Sequence, residues 1–394
     1  MSGTDTTMIT PASVTELRDV LRTATEPLRV QGRGSWLHGG GPWATAQALS
    51  TTALRGVVEY IPGDLVITVR AGTTLAELAE VTGAHGQMLA IAPYATQDRA
   101  APGIVDATVG AMIATASPAP LPLADMTARD LVLGVQVVTG DGAVTRAGGR
   151  VVKNVAGFDL VRLHTGAFGT LGVITEVSLR LHARPPHDTL VRAPLRDSVA
   201  EVIPRLVMQR APLPMLLELS AHDDPVLWAR CAGNAARTSA LMDRVGAMGL
   251  LPQHGQHWSL REEGGAHLDA VRATPRNTVV VRARMPLSDA VPLVRAAREV
   301  FPSSTLRFDP ATGGLRVLVP VAHASALDHD IATLGRRAAA GGATHPISVV
   351  VDQYRAAPRV LTPIEAEIKR GFDARGILNP LAAVPHTTNA PTAY

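Results

Sequence analysis

Gly32, Arg33, Gly34 and Ser35 follow the short apolar run from Leu28 to Gln31. Two glycines at alternate positions after a strand let the backbone turn sharply and aim several N–H groups one way, a nest for an anion such as a pyrophosphate. Ser35 adds a hydroxyl donor and Arg33 a charge. Taken alone, the same four residues also fit an ordinary glycine turn. A second small-residue stretch reads Thr108-Val109-Gly110-Ala111-Met112-Ile113-Ala114-Thr115. It lets a ligand reach the backbone, with two hydroxyls to bond it, or it is a packed helix start. A third, Gly166-Ala167-Phe168-Gly169-Thr170-Leu171-Gly172-Val173-Ile174-Thr175, sets three glycines three apart ahead of an apolar strand. It allows the same close approach, or it is a bend before a strand.

Other chemistries are disfavoured. A doubly wound dinucleotide site wants G-x-G-x-x-G between a strand and a helix. Here position 37 is Leu, and Gly39, Gly40, Gly41 and Pro42 stand where the helix would begin. No P-loop pattern is present. Cys231 is the single cysteine, so the chain cannot form an internal disulfide, a cysteine-ligated zinc site or an iron–sulfur cluster of its own. His254 and His257 are three apart without an evident third ligand, and His323 and His329 are six apart; both pairs read as solvated histidines, and no metal site is assigned.

The 37 basic residues are 35 Arg and two Lys, Lys153 and Lys369, against 34 acidic ones. The positive charges are scattered, whereas a nucleic-acid groove shows a basic stripe. No run reaches the ~18 apolar residues of a membrane span. Asp5, Glu16 and Asp19 interrupt the first twenty residues, which lack the apolar core of a secretory signal. A cytoplasmic protein is the expectation, with peripheral contact at an inner membrane open through partners.

These segments need a scaffold, and the 394 residues, 46% apolar, suffice for two or three domains. Ser13 with Glu16 and Thr74 with Glu77 have capping-box spacing and predict two helices, the second ending at Gly83. Strands are predicted at Leu28 to Gln31, Val57 to Ile61, Leu65 to Val69, Leu131 to Val138 and Gly172 to Leu181. The turn Thr139-Gly140-Asp141-Gly142 predicts a hairpin. The texture changes at Arg184-Pro185-Pro186. Beyond it, strands near 216–219, 278–284, 315–319 and 347–351 mix with helices near 238–248, 288–300 and 325–338, and a last helix spans 363–371. No internal repeat is visible. The fold class is α+β.

The order of the three small-residue stretches resembles the FAD-binding domain of the vanillyl-alcohol oxidase, or PCMH-type, superfamily. Ala128-Arg129-Asp130-Leu131-Val132-Leu133-Gly134 and Lys153-Asn154-Val155-Ala156-Gly157-Phe158-Asp159 carry the likeness too. It covers about 25 to 182, plus the ending Asn379-Pro380. The resemblance implies a PCMH-type FAD-binding domain over 1–184, made of two α+β subdomains at about 1–95 and 96–184. A smaller α+β, ferredoxin-like cap over 185–355 follows, and 356–394 returns to the FAD domain before a frayed tail. It also implies that Gly32, Arg33, Gly34 and Ser35 cradle the FAD pyrophosphate. Thr108, Gly110, Ala114 and Thr115 would line the channel from adenine to flavin, and Val173 and Ile174 would meet FAD through their backbone.

Within the superfamily the chain is most similar to the FAD-binding E subunits of bacterial glycolate oxidases, on Lys153 to Asp159 and on Asp373-Ala374-Arg375-Gly376-Ile377-Leu378-Asn379-Pro380. Catalytic D-type relatives carry Glu where Phe168 stands, and an H-x-G-D-G-N-x-H segment that this chain lacks. Relatives with covalent FAD often carry His in the first loop, whereas His38 lies beyond it here, so the expectation is non-covalent FAD. The resemblance implies oxidation of a small 2-hydroxy acid with a D-type flavoprotein subunit and an iron–sulfur subunit as partners. An FAD-carrying relay or scaffold subunit, or an autonomous oxidase of D-lactate or another alcohol, stays open. The reaction needs a cation for the carboxylate and a base for the hydroxyl proton. His164, His345 and Tyr354 are conceivable bases, but each reads more readily as structural or exposed, and none is assigned.

Overall fold

The computed structural model describes residues 8–34, 47–96, 106–123, 126–149, 159–208, 214–220, 225–247, 256–260, 265–275, 277–352, 361–379 and 386–387. The first half opens with helix α1 (Val14–Thr23), whose N-cap Ser13 accepts from the Glu16 N–H. Leu17 and Leu21 bury its apolar stripe. Strand β1 (Leu28–Gln31) then pairs in parallel with β2 (Gln47–Ser50). A five-stranded antiparallel sheet follows, from β3 (Val57–Ile61), β4 (Val66–Arg70), β5 (Val132–Val138), β6 (Val144–Gly148) and β7 (Val173–Arg180), in the order β3-β4-β7-β5-β6. Gly142 at φ +78° closes the β5–β6 hairpin. Helix α2 (Leu75–Gly83) starts at the Thr74–Glu77 capping box, α3 (Val109–Ala114) is N-capped by Thr108, and α4 (Leu160–His164) is N-capped by Asp159.

From His187 onward the chain builds a nine-stranded antiparallel sheet. Its strands are β8 (His187–Pro194), β9 (Met215–Leu219), β10 (Val226–Gly233), β11 (Gln256–Ser259), β12 (Thr278–Arg284), β13 (Thr305–Asp309), β14 (Gly314–Pro320), β15 (Ser348–Asp352) and β16 (His386–Thr387). Helices α5 (Val199–Val207), α6 (Ala235–Ala247), α7 (Ala290–Val300) and α8 (Leu327–Ala340) cover one face. The order β11-β8-β10-β9-β13-β14-β12-β15-β16 resolves into two ferredoxin-like βαββαβ units. The first is β8-α5-β9-β10-α6-β11 and the second β12-α7-β13-β14-α8-β15. They join where β9 pairs with β13, Leu217 opposite Phe308. The sequence shows no internal repeat in this α+β cap, and the structure resolves it into two such units. Charged residues such as Asp188, Arg230 and Arg307 interrupt the apolar runs of β8, β10 and β13 and hide them from a reading of periodicity.

Each cap strand alternates. Val279, Val281 and Ala283 of β12, Leu306 and Phe308 of β13, and Leu315, Val317 and Val319 of β14 enter the core beneath the helices. The residues between them face the first half. A short helix, Ala266–Arg272, and Ala273–Thr274, paired with Ala95–Thr96, close the seam between the halves.

Helix α9 (Pro363–Phe372) and the segment after it lie on the first half. Leu378 bridges to Leu28, and Arg375 donates to the Arg22, Ala24 and Gly140 carbonyls. Of the tail expected to fray, only His386–Thr387 is described, and it pairs with β15 as β16. Among the described residues no helix is long and apolar enough to cross a membrane.

Candidate functional site

The three small-residue stretches meet. A Cβ placed on Gly32 would stand 2.3 Å from Thr108 Oγ1, so only glycine lets the first loop lie against the start of α3. Gly34 has φ +73°, the left-handed region that glycine enters at little cost. The N–H groups of Gly32, Arg33 and Gly34 reach no acceptor among the described residues. That is the donor set an anion nest requires. Arg33 is exposed, and Ser35 lies outside the described residues.

The second stretch is held by backbone. The Val109 and Gly110 N–H groups donate to Thr73 O and Ala71 O, each at 2.8 Å, and the Ala71 N–H donates to Thr175 O at 2.8 Å. A Cβ on Gly110 would meet Ala71 Cβ at 2.7 Å, which sets how closely α3 approaches β4. The Thr108 hydroxyl accepts from the Ala111 N–H, and the Thr115 hydroxyl donates to Ala111 O at 2.8 Å. Both hydroxyls therefore hold their own helix. Ala114 O accepts from the Phe168 N–H at 2.7 Å, joining the second stretch to the third.

The side chains of Val173 and Ile174 are buried. β4 pairs with β7 only from Glu176 to Arg180, so among the described residues no strand flanks Val173 and Ile174 on that edge.

Asn379 ties these parts to the C-terminal segment. Its Oδ1 accepts from the Val30 N–H at 2.8 Å and its Nδ2 donates to Phe168 O at 2.6 Å. Phe168 sits at φ +54°, and a Cβ on Gly169 would meet Asn379 Nδ2 at 2.8 Å. Of the segment Lys153 to Asp159, only Asp159 is described.

A cavity of about 470 Å³ opens between the halves, beginning at Ala116 and Ser117, directly after α3. Its floor is the strap Pro118 to Pro122 with Ile91 and Tyr94; its roof is the cap face carrying Arg282, Arg284, Arg307, Asp309 and Arg316. Ala116 and Leu121 hold positive φ, +42° and +52°, unusual for residues with a side chain. Arg230 pins this strap. It makes a two-pronged ion pair with Asp188, at 2.8 and 2.6 Å, and donates to Leu121 O at 3.2 Å, with 3% of the residue exposed.

The Arg316 guanidinium lies 3.9 Å over the Tyr94 ring, and Arg307 is 5.9 Å from it. Arg307 donates to Glu218 at 2.7 Å and to Ala273 O at 2.9 Å. Burial pushes the Tyr94 phenol upward, with the two guanidiniums pulling the other way, so it stays protonated near neutrality. Asp309 is engaged by the Ala311 N–H and the Thr312 hydroxyl.

The conceivable bases stand apart from this cavity. His164 is buried, its Nε2 without a hydrogen bond and its ring edge-on to Phe372 at 5.4 Å; burial pushes its pKa down to about 4, so it is neutral at pH 7. His345 is half exposed and holds Asp289 at 2.9 Å. Tyr354 and His254 lie outside the described residues, and His257, His323 and His329 are exposed. Sequence reasoning missed Tyr94 and the cap arginines. Their signal was Arg at alternate positions within apolar strands, as in Leu306-Arg307-Phe308 and Leu315-Arg316-Val317.

Residues 6–148 match the family described as FAD binding domain. The chain is 35% identical over 240 residues to glycolate oxidase subunit GlcE of Escherichia coli, covering 60% of this chain and 64% of that one. It is 32% identical over 218 residues to a D-lactate dehydrogenase of Archaeoglobus fulgidus, covering 54% of this chain and 46% of that one. It thus spans less than two thirds of either relative. The solved structure of p-cresol methylhydroxylase with substrate bound superposes with a TM-score of 0.65 at 14% identity, over 94% of this chain and 87% of that one. The glycine cradle and its free N–H groups fit an FAD pyrophosphate. Residues 6–148 thus match an FAD-binding domain family, and nearly the whole chain shares the fold of p-cresol methylhydroxylase.

Proposed function

We propose that this chain is the FAD-carrying subunit of a complex that oxidises a small 2-hydroxy acid, glycolate to glyoxylate, and passes the electrons to partner subunits. The observation that carries the reading is the cavity itself, which runs from the end of α3 to a roof of arginines. The likeness to GlcE supports glycolate as the substrate and a D-type flavoprotein as a partner. With its one cysteine in a buried position, this chain must hand electrons onward without a cluster of its own, which favours an iron–sulfur partner.

FAD, when bound, accepts a hydride equivalent from the alcohol carbon. Gly32, Arg33 and Gly34 would hold its pyrophosphate through N–H groups, and the backbone edge at Val173 and Ile174 would meet its flavin end. Ser35, Gly110, Ala114, Thr108 and Thr115 complete the wall we assign to it. The first loop offers no histidine, so the FAD is held without a covalent bond. Arg282, Arg307 and Arg316 offer forked donors to the substrate carboxylate. Neither lining group that could take a proton is arranged as a base, since Asp309 is engaged in its own turn and Tyr94 is held protonated. That favours a second reading, an FAD-carrying relay or scaffold that turns over only with its partner.

Anaerobic titration of the FAD-loaded chain with glycolate, then with D-lactate, tests these readings. No bleaching alone, followed by turnover when the D-type partner is added, supports a dependent subunit. Bleaching by glycolate alone makes this chain catalytic by itself, and bleaching only by D-lactate overturns the glycolate assignment. For the first loop, Gly34→Val forces a β-branched residue to φ +73° and is expected to release FAD with the cap still folded. Full FAD occupancy in that variant would sink the loop assignment.

A further inference from the structure

The backbone and ring of Tyr94 are held from several sides. Its N–H donates to Pro118 O at 3.1 Å, and the carbonyl before it, Pro93 O, accepts from Arg272 at 3.1 Å. The next two residues, Ala95 and Thr96, pair with Ala273 and Thr274. The Arg316 guanidinium lies against the ring face, and Arg307, a little further off, is itself fixed by Glu218 and Ala273 O.

The hydroxyl is the exception. Tyr94 is 4% exposed and lines the cavity, yet its O–H reaches no hydrogen-bond partner among the described residues. Buried tyrosines ordinarily hand that O–H to a neighbour. Tyr60 does so, donating to Gln87 Oε1 at 3.0 Å. Ser117, Thr127 and Thr312 also line the cavity, and their hydroxyls are engaged by Ser117 with Thr115, by Thr127 with Asp130 and by Thr312 with Asp309. An enclosed donor left unpaired lowers stability. That loss is offset when a molecule entering the cavity accepts the bond.

The surroundings of the ring define the acceptor. Burial outweighs the two guanidiniums, so the phenol is protonated near neutrality and can only give a proton to a hydrogen bond. A cation against the ring face favours negative charge on the phenol oxygen, which strengthens the O–H as a donor. Such a donor suits an ionised acceptor better than a neutral one. We infer that Tyr94 is a substrate-binding residue whose hydroxyl donates to the carboxylate of the 2-hydroxy acid. This rests on the cavity being the substrate site, as proposed above. It adds a contact from the first half to those from the cap, so that the acid is held between the two.

Tyr94→Phe removes the hydroxyl and keeps the ring under Arg316. The full FAD-loaded chain is titrated anaerobically with glycolate by calorimetry, beside the parent and beside Ala311→Trp, which fills the cavity from the cap side. Flavin absorbance verifies that each protein carries FAD. Tyr94→Phe is expected to weaken glycolate at least about tenfold, the loss of one hydrogen bond to a charged group. Its melting temperature is expected to hold or rise, because an unpaired hydroxyl has left the interior. Glycolate affinity within about twofold of the parent, with binding still blocked in Ala311→Trp, overturns this inference alone. A melting temperature lowered by several degrees gives the hydroxyl a partner inside the fold and overturns it as well. No binding to the parent, or affinity unmoved by both replacements, overturns the cavity as the glycolate site, and this inference falls with it.

Discussion

Asn379→Ala isolates the contact that joins the segment after α9 to the loop proposed for FAD. The substitution deletes the acceptor of the Val30 N–H and the donor to Phe168 O, at 2.8 and 2.6 Å. The third bond, to Val30 O at 3.4 Å, is too long to weigh. An orphaned buried backbone group costs about 1–3 kcal/mol. Both bonds are only partly buried, so each is taken at the low end. Asn379 also holds φ +35°, which asparagine tolerates better than alanine, adding about 1 kcal/mol. The sum is about 3 kcal/mol, which for a domain of this size lowers the melting temperature by roughly 6–12 °C. If half of the loss falls on the β1 end that carries Gly32 to Gly34, FAD affinity drops about tenfold, at 1.4 kcal/mol per decade. Scanning calorimetry and flavin release by ultrafiltration measure the two effects. A melting temperature within 1 °C of the parent, or FAD affinity within twofold of it, would refute the reasoning.

Arg230→Met strands Asp188 in the interior and is expected to cost about 3–5 kcal/mol, read by urea unfolding, whereas the pair Asp188→Leu with Arg230→Met regains most of it. A cost under 1 kcal/mol for the single change would contradict the assigned role of this pair in pinning the strap. His164 gives a pH signature. Its folded pKa, about 4, lies below the ordinary 6.5, so above pH 6.5 both states are neutral and contribute no pH dependence. Between pH 6.5 and 4 the unfolded chain takes up a proton that the folded chain refuses, and stability falls with pH by up to about 3 kcal/mol before levelling off. Asp130 and Asp141 are held below 3.8, mainly by the Thr127 and Thr139 hydroxyls, so their contribution is lost only at still lower pH. His164→Phe keeps a ring against Phe372 and should flatten melting temperature against pH over that window; an unchanged slope would rule His164 out as its source.

The parts legible in the sequence were those coded locally. The Thr74–Glu77 box, the Asp141-Gly142 turn, and the strands Leu28–Gln31, Val57–Ile61 and Thr278–Arg284 each declare themselves within a few residues. Gly32 and Gly34 stood out because a nest needs glycine. What the sequence hid was nonlocal. Arg282, Arg307 and Arg316 are spread over 34 positions, and only the sheet register makes them a row. The doubled βαββαβ plan was hidden because Asp188 and Arg230 interrupt the faces of β8 and β10 that carry Leu190 and Trp228 toward the first half. Phe168, read as a departure from catalytic relatives, has a second role that only coordinates disclose: its carbonyl receives Asn379.

The bond from Asn379 N–H to Leu28 O and the bridge from Leu378 to Leu28 join residues about 350 apart. During translation at roughly 5–20 residues per second, the first strand therefore waits on the order of tens of seconds for the segment that completes it. The segment that locks the first loop is made about 350 residues after it. Until then the edge of β1 beside that loop is open to solvent and to other nascent chains. Cofactor uptake becomes an event that waits on that segment, and a product truncated before it is expected to lose its grip on FAD before it loses its cap.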